Sequence, residues 1–409
     1  MRKLKMAIVG FGQRGGIYGD YSKANSEKIE VSAVVESAED RRLRAKAMFP
    51  EAQVYSRLEE FVQLVPAADF VAVCTQDKQH KEHAVTLMKA GYDLLLEKPI
   101  ANTKEDCIEI YEASKKYNKK VIVCHVLRYT PFYRKVKEIV ESGKLGNIIN
   151  VHAGENVGFY HFAHSFVRGP WRNSKESSPV ILAKCCHDMD ILRYLIGKKC
   201  LSVSSVGNLK YFKKENAPRG GTKYCSDCPE KNCTYKAQTL YIHPQYRWTA
   251  NYFSLWSDDE ETVLKKLKKT QYDRCVYDCD NDVCDHQETL IRFEGRVAAS
   301  LSLTAFSAKN YRDIKIHGTQ AELYGNTAIN EIKVSYFSGK EEKYPIDLPD
   351  EVTGGHLGGD YYLMESLYKF FNGEEVKELS LLDVSLESHL MSFAAEESRK
   401  AIGKTVDIK

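Results

Sequence analysis

The sequence contains no apolar run long enough to cross a bilayer. Its first apolar segment, residues 6–9, is too short for the core of a signal peptide or for a membrane span, and a glycine-rich turn follows at once. We therefore expect no membrane partner and a cytoplasmic location.

A large excess of charge of either sign is also missing. The 409 residues carry 59 Lys and Arg against 56 Asp and Glu, and the formal net charge is +3. The sequence has no internal repeat and no helix-turn-helix pattern. A chain so close to neutrality lacks the excess of positive charge that nucleic-acid binding requires, so we expect no nucleic-acid partner. Its length predicts two domains.

Short apolar strands alternate with amphipathic helical patterns in the first third of the chain. The strand candidates are residues 5–9, 30–35, 70–74, 92–96 and 121–124. Helical periodicity lies between them at residues 39–48, 79–90 and 104–117. This alternation is typical of a parallel, doubly wound sheet. It predicts an α/β Rossmann domain over residues 1–124.

The remaining residues, 125–409, have a stronger β pattern. Strand candidates lie at residues 147–157, 289–293, 297–305, 314–318 and 331–336, and helical candidates lie at 131–142, 360–372 and 381–402. These elements predict an α+β domain built on a large, mostly antiparallel open sheet. A polar, cysteine-rich insertion interrupts this domain between roughly residues 205 and 285.

A motif of the form G-x-G-x-x-G directly follows the first predicted strand. It consists of Gly10, Phe11, Gly12, Gln13, Arg14 and Gly15. Such glycines allow a tight turn and let the backbone approach a pyrophosphate at a helix N-terminus. Glu36 follows the second predicted strand, where a carboxylate binds the ribose 2′-hydroxyl and repels a 2′-phosphate. The motif therefore predicts NAD rather than NADP, although Arg41 and Arg42 are close enough in sequence to support a 2′-phosphate.

A second group of motifs resembles one enzyme family. Cys74-Thr75 is followed by His80 and then by a strand that ends in Glu97-Lys98-Pro99. The later motifs are Arg128 with Pro131, Gly143-Lys144-Leu145-Gly146 and His187-Asp188-Met189-Asp190. In this order they resemble the Gfo/Idh/MocA oxidoreductases over most of the chain outside the insertion.

The resemblance implies a cofactor and substrate cleft between two domains, and oligomer contacts through the open sheet in a homodimer or homotetramer. It implies that Lys98 lies beside the nicotinamide and the reacting hydroxyl, and that Thr75, His80 and Glu97 belong to the cofactor site. A chemical argument that does not depend on the resemblance also supports a catalytic role for Lys98. Oxidation of an alcohol removes the O–H proton as well as a hydride, so a base and a cation must meet at that oxygen. The carboxyl end of a parallel strand is where such sheets bind ligands.

His187 corresponds to the cleft histidine of the family. The family usually has an Asp four residues earlier, but here that position is Ala183, followed by Lys184. Lys184, His187 and Asp190 have the spacing of one helical face, so that Asp190 can orient the imidazole. We predict Lys98, His187 and Lys184 as catalytic residues. The alternative for His187 and Lys184 is packing at the start of a helix.

The stretch from residue 161 to residue 172 mixes aromatic side chains with polar donors. This combination suits a polyhydroxylated or anionic substrate, and a solvated loop is the alternative. Adding residues next to the other motifs gives the predicted substrate-binding set, which is His125, Arg128, His161, His164, Arg168, Trp171, Arg172, Asp190 and His356.

The insertion contains cysteines at metal-ligand spacing. Cys225, Cys228 and Cys233 follow the pattern C-x2-C-x4-C, and Cys275 or Cys279 supplies a fourth thiolate. In a reducing compartment, four thiolates typically hold a structural zinc ion. We predict such a site here, with an iron–sulfur cluster or free thiols as the alternatives.

Two reactions fit these residues. The first is NAD-dependent oxidation of a secondary hydroxyl of a sugar, polyol or sugar acid. The second is a redox-neutral glycosidase or lyase reaction, in which transient oxidation acidifies a neighbouring C–H, elimination breaks a bond, and the hydride returns to the product. A non-catalytic dinucleotide sensor is a third class, and the presence of Lys98 and His187 argues against it.

Overall fold

The computed structural model describes residues 1–349, 352 and 356–408. The first part of the chain forms a parallel six-stranded sheet with strands β1 (Leu4–Val9), β2 (Ile29–Val35), β3 (Gln53–Tyr55), β4 (Phe70–Val73), β5 (Leu94–Leu96) and β6 (Val121–Val123). The helices between them are α1 (Gln13–Ala24), α2 (Glu39–Met48), α3 (Leu58–Leu64), α4 (His80–Lys89) and α5 (Lys104–Lys116). The strand order is β3-β2-β1-β4-β5-β6, and each neighbouring pair is parallel. The predicted Rossmann sheet is confirmed.

The central strands are apolar because helices cover both faces of this sheet. β4 reads Phe-Val-Ala-Val and β5 reads Leu-Leu-Leu, and every residue of both strands is buried. Helix α5 begins where the hydroxyl of Thr103 accepts a hydrogen bond from the backbone N–H of Asp106. The sequence pattern does not predict β3, because three residues are too few to show an alternation.

The second part of the chain forms a nine-stranded sheet. Its strands are β7 (Ile148–Gly158), β8 (Cys200–Asn208), β9 (His286–Phe293), β10 (Ala298–Ser307), β11 (Tyr311–Gly318), β12 (Ala321–Asn326), β13 (Glu331–Tyr336), β14 (Glu341–Pro345) and β15 (Val406–Asp407). The order is β14-β13-β12-β11-β7-β10-β9-β8-β15, and neighbours are antiparallel except for β7 with β10. The predicted large, mostly antiparallel sheet is confirmed.

Helices cover one face of this sheet, which is why its strands alternate between buried and exposed residues, as β9 does. The helices of this part are α6 (Pro131–Glu141), α7 (Phe159–Phe162), α8 (Val180–Ala183), α9 (Cys186–Ile196), α10 (Ala237–Ile242), α11 (Glu260–Leu267), α12 (Gly359–Phe371) and α13 (Leu382–Lys400). Among them, α9 packs on β7 and α13 packs on β8. Within the described residues, no helix is both long and apolar enough to span a membrane.

Helix α12 comes late in the sequence but packs with the first sheet. Leu363 and Leu367 are buried in the same hydrophobic cluster as Ile8 of β1. Phe371 stacks on Phe70 of β4, with ring centroids 4.9 Å apart. Residues 124–147 thus connect the two sheets in sequence, while α12 returns from the second part of the chain and packs with the first sheet.

Residues 209–285, between β8 and β9, form the insertion. It has a small apolar cluster of its own, which includes Tyr241 and Tyr272. Arg168, fully buried, fastens the insertion to the second domain because its guanidinium donates to the backbone oxygens of Arg274 and Tyr235, at 2.6 and 2.7 Å. The insertion is thus a folded part of the second domain.

The packing of α12 can be tested with Leu367→Ala. Removal of a fully buried leucine side chain leaves a cavity, so we expect the free energy of unfolding to fall by about 2–5 kcal/mol. Urea unfolding measures this, with the exposed Lys369→Ala as the control. A cost as small as that of the control would show that α12 does not belong to this core.

Candidate active site

The glycine-rich turn has the shape that a dinucleotide pyrophosphate requires. Gly10 has a φ of +92°, and a Cβ there would lie 2.8 Å from the carbonyl oxygen of Cys74. A Cβ on Gly15 would overlap the carbonyl oxygen of Gly10. Helix α1 begins at Gln13 with no side-chain cap and no acidic residue in its first turn. Its free N–H groups therefore fit an anionic phosphate.

Glu36 lies directly after β2, at the edge of this turn. Its carboxylate accepts hydrogen bonds from the backbone N–H of Phe11 at 2.7 Å and of Ala38 at 3.0 Å. Arg41 lies 3.9 Å from the same carboxylate and is half exposed. The carboxylate is thus fixed beside the turn, where it can accept a hydrogen bond from a ribose hydroxyl.

Glu97 closes β5 and anchors the base of the cleft. Its carboxylate accepts hydrogen bonds from Arg14 Nε and the Tyr18 hydroxyl, both at 2.6 Å. Arg14 also donates to Asp360 of α12 at 2.6 Å. Burial raises the pKa of Glu97, but the Arg14 charge, the hydrogen bonds from Tyr18 and Arg14 and the Lys98 charge together outweigh it and hold that pKa below its usual range. Glu97 is therefore an anion that orients Arg14, and it lies below the glycine-rich turn.

Lys98 follows Glu97 and extends towards the second domain. Its ammonium donates to the carbonyl oxygen of Ala183 at 3.1 Å. His80 supports the loop around it, since its two ring nitrogens lie 2.8 Å from the carbonyl oxygen of Pro99 and 3.0 Å from that of Thr75. His80 and Thr75, predicted in the cofactor site, thus lie at the ends of β4 and β5 beside Lys98.

His187 is the second residue of α9 and lies close enough to Lys98 for the ammonium charge to act on its ring. Both of its ring nitrogens are buried and have no hydrogen-bond partner among the described residues. Its ring centroid lies 5.7 Å from that of His125 and 6.1 Å from that of His356. Burial, reinforced by the nearby Lys98 charge, lowers the pKa of His187 well below its ordinary value. The imidazole is therefore neutral and can accept a proton.

Lys184 lies between α8 and α9, not on one helical face with His187 as the spacing predicts. Its ammonium is 3.4 Å from Glu155 of β7. Glu155 also pairs with Arg312 of β11, and Arg312 donates to Asp188 at 2.7 Å. Burial lowers the pKa of Lys184, and the Glu155 charge offsets this only in part.

Glu155 and Arg312 are not among the residues predicted from the sequence, although the strand pattern contains a signal for both. Glu155 shares its side of β7 with the buried Val151 and Val157, and Arg312 shares its side of β11 with the buried Ile314. A charged residue at an inward position of a strand must be paired or functional, because an isolated buried charge is too costly.

Arg128 and Asp190, both predicted to bind substrate, form a buried ion pair instead. Two guanidinium nitrogens of Arg128 lie 2.6 Å from the two carboxylate oxygens of Asp190. Asp190 therefore does not orient His187, which contradicts that prediction. His125 lies next to this pair, 3.8 Å from Asp190, and its own ring nitrogens have no hydrogen-bond partner among the described residues.

His161 and His356 lie on the two walls of the cleft. His161 Nδ1 donates a hydrogen bond to the side-chain oxygen of Asn310 at 3.0 Å, and burial, reinforced by the Lys184 charge, lowers the pKa of His161. His356 pairs with Asp360 at 3.0 Å. Trp171, the remaining predicted aromatic, packs on Phe166 at a ring-centroid distance of 6.4 Å.

Three other predicted substrate ligands hold the insertion instead, which contradicts the prediction. His164 is buried, stacks on Tyr272 at 4.7 Å and lies 3.1 Å from the Tyr241 hydroxyl. Arg168 donates to backbone oxygens of the insertion, as described above. Arg172 forms an ion pair with Asp280 at 2.9 Å. Their partners lie about 70 to 110 residues later in the chain, so local sequence does not reveal them.

The predicted zinc site is not supported. In the part of the chain that the structure describes, no three His, Cys, Asp or Glu side chains converge on a point that could hold a metal ion. Instead, the Cys225 sulfur accepts a hydrogen bond from Arg168 at 3.5 Å, and the Cys279 thiol donates to the carbonyl oxygen of Cys275 at 3.2 Å. Cys228 and Cys233 are likewise free, partly exposed thiols.

A dinucleotide-binding turn opposite a lysine and a neutral histidine defines a nucleotide-dependent oxidoreductase. Two sequence models agree with this class: an oxidoreductase NAD-binding Rossmann fold matches residues 4–125, and the C-terminal α/β domain of the same oxidoreductase family matches residues 137–388. The chain belongs to the Gfo/Idh/MocA oxidoreductase family.

Individual relatives are similar at a lower level. The putative oxidoreductase YteT of Bacillus subtilis is 28% identical over 366 residues, which is 84% of this chain and 83% of the relative. Inositol 2-dehydrogenase of Corynebacterium glutamicum is 26% identical and covers 54% of this chain and 61% of its own length. The structure of levoglucosan dehydrogenase with NADH and levoglucosan covers 100% of both chains, with a TM-score of 0.72 and 19% identity. At 19% identity, this structural match shows only that the two proteins share a fold.

The role of Glu36 in cofactor choice can be tested with Glu36→Ala. Loss of a charged hydrogen-bond acceptor should raise the Kd for NADH about tenfold or more, while the loss of repulsion should lower the Kd for NADPH. Fluorescence titration of both nucleotides measures this, and the exposed Glu39→Ala is the control. If both Kd values stay unchanged, Glu36 supports only the turn.

Proposed function

We propose that the protein oxidises a secondary hydroxyl group of a sugar, polyol or sugar acid with NAD as the hydride acceptor. The observation that carries the proposal is the pairing of a lysine ammonium with a buried, neutral histidine at the same end of the parallel sheet as the dinucleotide turn. A bound NAD would supply the electrophilic carbon that takes the hydride, held by the turn that Gly10, Gly12 and Gly15 form and by Glu36.

Two side chains of the cleft have the other roles in the reaction: one accepts the proton and one stabilises the negative charge. His187 accepts the hydroxyl proton, since its nitrogens have no hydrogen-bond partner among the described residues and burial keeps the imidazole neutral, with a lone pair available. Lys98 stabilises the negative charge that grows on the same oxygen as the proton leaves. The carbonyl oxygen of Ala183 holds the Lys98 ammonium in position without neutralising it.

Support for a carbohydrate-like substrate comes from the polar groups that surround this pair. Lys184, His161 and His356 are hydrogen-bonding groups spread over the walls of one cleft, which suits a ligand with several hydroxyl groups. The relatives include an inositol 2-dehydrogenase, which acts on a polyol by its name.

A redox-neutral reaction is the second candidate, and Lys184 favours it. Oxidation of an alcohol requires one base, whereas elimination next to the new carbonyl requires a further proton acceptor or donor. Lys184 has a lowered pKa and lies in the same cleft, so it can serve in that step. A relative from Escherichia coli, 26% identical over 139 residues, is named a 2,7-anhydro-N-acetylneuraminate hydratase.

The first experiment incubates the protein with NAD and a panel of sugars, polyols, sugar acids and glycosides. NADH absorbance and product mass are followed in the same tubes. We expect NADH to accumulate with an oxidised product, and Lys98→Ala to lower the rate about 100-fold or more because the alkoxide loses its cation. The control is Lys104→Ala, at an exposed lysine of α5. Cleaved product without net NADH would favour the second candidate, and no product at all would contradict both.

The pH dependence tests the assignment of His187 as the base. An ordinary histidine has a pKa of about 6.5, whereas burial lowers that of His187 well below this value. The imidazole therefore stays neutral as the pH falls, and we expect kcat/KM to remain level from about pH 8 to about pH 6. His187→Asn should abolish the activity over this whole range. A loss centred near pH 6.5 in the unmodified enzyme would instead indicate a base with an ordinary pKa.

A further inference from the structure

The 3-10 helix Pro244–Tyr252 of the insertion contacts both domains beside the candidate site. Its first contact is with the second domain, where Tyr246 stacks on Tyr160 with ring centroids 4.0 Å apart and the planes tilted by 18°. Phe159 of the same short helix α7 also packs edge-on against Tyr246, at 5.6 Å. This end of the 3-10 helix is therefore fixed to the wall that carries His161.

The middle of the same helix places Trp248 over that wall. Its ring packs edge-to-face on His161, with centroids 5.1 Å apart and the planes at 86°. His161 is itself held by Asn310, and it lies close enough to Lys184 and His356 for their charges to act on it. Trp248 is only partly buried, so part of its ring remains accessible beside His161.

The far end of the helix reaches the first domain. The Tyr252 hydroxyl donates a hydrogen bond to the side-chain oxygen of Gln13 at 2.9 Å, and Gln13 is the first residue of α1 in the glycine-rich turn. The Tyr252 ring packs on His164 at 4.7 Å. One short helix thus contacts the substrate wall through Trp248 and the dinucleotide turn through Tyr252.

We propose that the insertion completes the substrate site: Trp248 is a stacking platform for a pyranose ring above His161, and Tyr252 positions that platform by holding the insertion on the dinucleotide turn. This inference rests on the proposed function, because it places a carbohydrate in the same cleft.

The side chains around Trp248 indicate which class of ligand the site binds. An indole ring packs well against the C–H face of a cyclic sugar, which leaves the equatorial hydroxyl groups free for polar partners at the rim. His161 and Lys184 supply such partners on the same wall. A linear polyol has no flat C–H face, so it gains little from Trp248. The site therefore favours a cyclic sugar or a cyclic sugar acid over an open-chain polyol.

The test labels the three tryptophans with 5-fluorotryptophan and records 19F spectra. The probes are methyl pyranosides of glucose, galactose, mannose and glucuronic acid, with sorbitol as the linear probe. We expect at least one pyranoside to shift the Trp248 resonance, assigned with Trp248→Phe, and sorbitol to leave it unchanged. The resonance of Trp256, which is exposed on the same insertion, should not move with any probe.

Kinetics on the substrate found in the activity screen give the second measurement. Trp248→Ala should raise KM about tenfold and change kcat less than about threefold, whereas Trp248→Phe keeps an aromatic platform and a KM near that of the unmodified enzyme. Trp256→Ala is the matched control. Tyr252→Phe retains the ring and removes only the hydrogen bond to Gln13, so KM should rise about threefold with an unchanged melting temperature.

The outcomes separate this inference from the proposed function. If no substrate is oxidised but a pyranoside shifts the Trp248 resonance, the proposed reaction fails and the sugar subsite stands. If a sugar is oxidised but Trp248→Ala leaves its KM unchanged, the subsite is wrong and the reaction stands. A Trp248 shift of equal size with sorbitol, or no shift with any probe, also overturns the subsite.

Discussion

A guanidinium group that loses its hydration on burial needs hydrogen-bond acceptors in return, and in this protein three arginines that are paired with carboxylates link distant parts of the chain. Arg14 joins α1 to the end of β5 through Glu97 and to α12 through Asp360. Arg128 joins the segment after β6 to α9 through Asp190. Arg312 joins β11 to β7 and α9. Because each pair links different parts of the chain, together they fix the relative position of the two cleft walls.

Lys98 differs from these three arginines in the partner that its positive charge has. Within residues 1–349, 352 and 356–408, no carboxylate lies within ion-pair distance of the Lys98 ammonium, whereas Lys184 has Glu155. The histidines beside Lys98 are kept neutral by burial, so they do not compete with it as cations. The cleft therefore presents one unneutralised positive charge next to a proton acceptor, which is the combination that a developing alkoxide requires.

Most of the fold was predictable from sequence because its signals are local. The strands around the glycine-rich turn are continuous apolar runs, and the residues of the turn are constrained by their own backbone geometry, as Gly10 shows. The roles of Arg168 and His164 were not predictable in this way. A polar residue in a loop-like stretch looks the same whether it faces a ligand or a carbonyl group from a distant segment, and only the fold distinguishes the two. Glu155 and Arg312 are different, because their inward positions on strands were visible in the alternation.

Ala183, which stands where the family usually has an aspartate, affects the charge around Lys98. The backbone oxygen of residue 183 accepts a hydrogen bond from the Lys98 ammonium, so an aspartate at that position would add a negative charge to the residue that Lys98 contacts. With Ala183, the chain provides the backbone dipole and no negative charge. The neighbouring Lys184 adds a second cation, and Glu155 pairs with it at 3.4 Å. With Ala183 in place of an acidic side chain, residue 183 contacts the Lys98 ammonium without neutralising its positive charge.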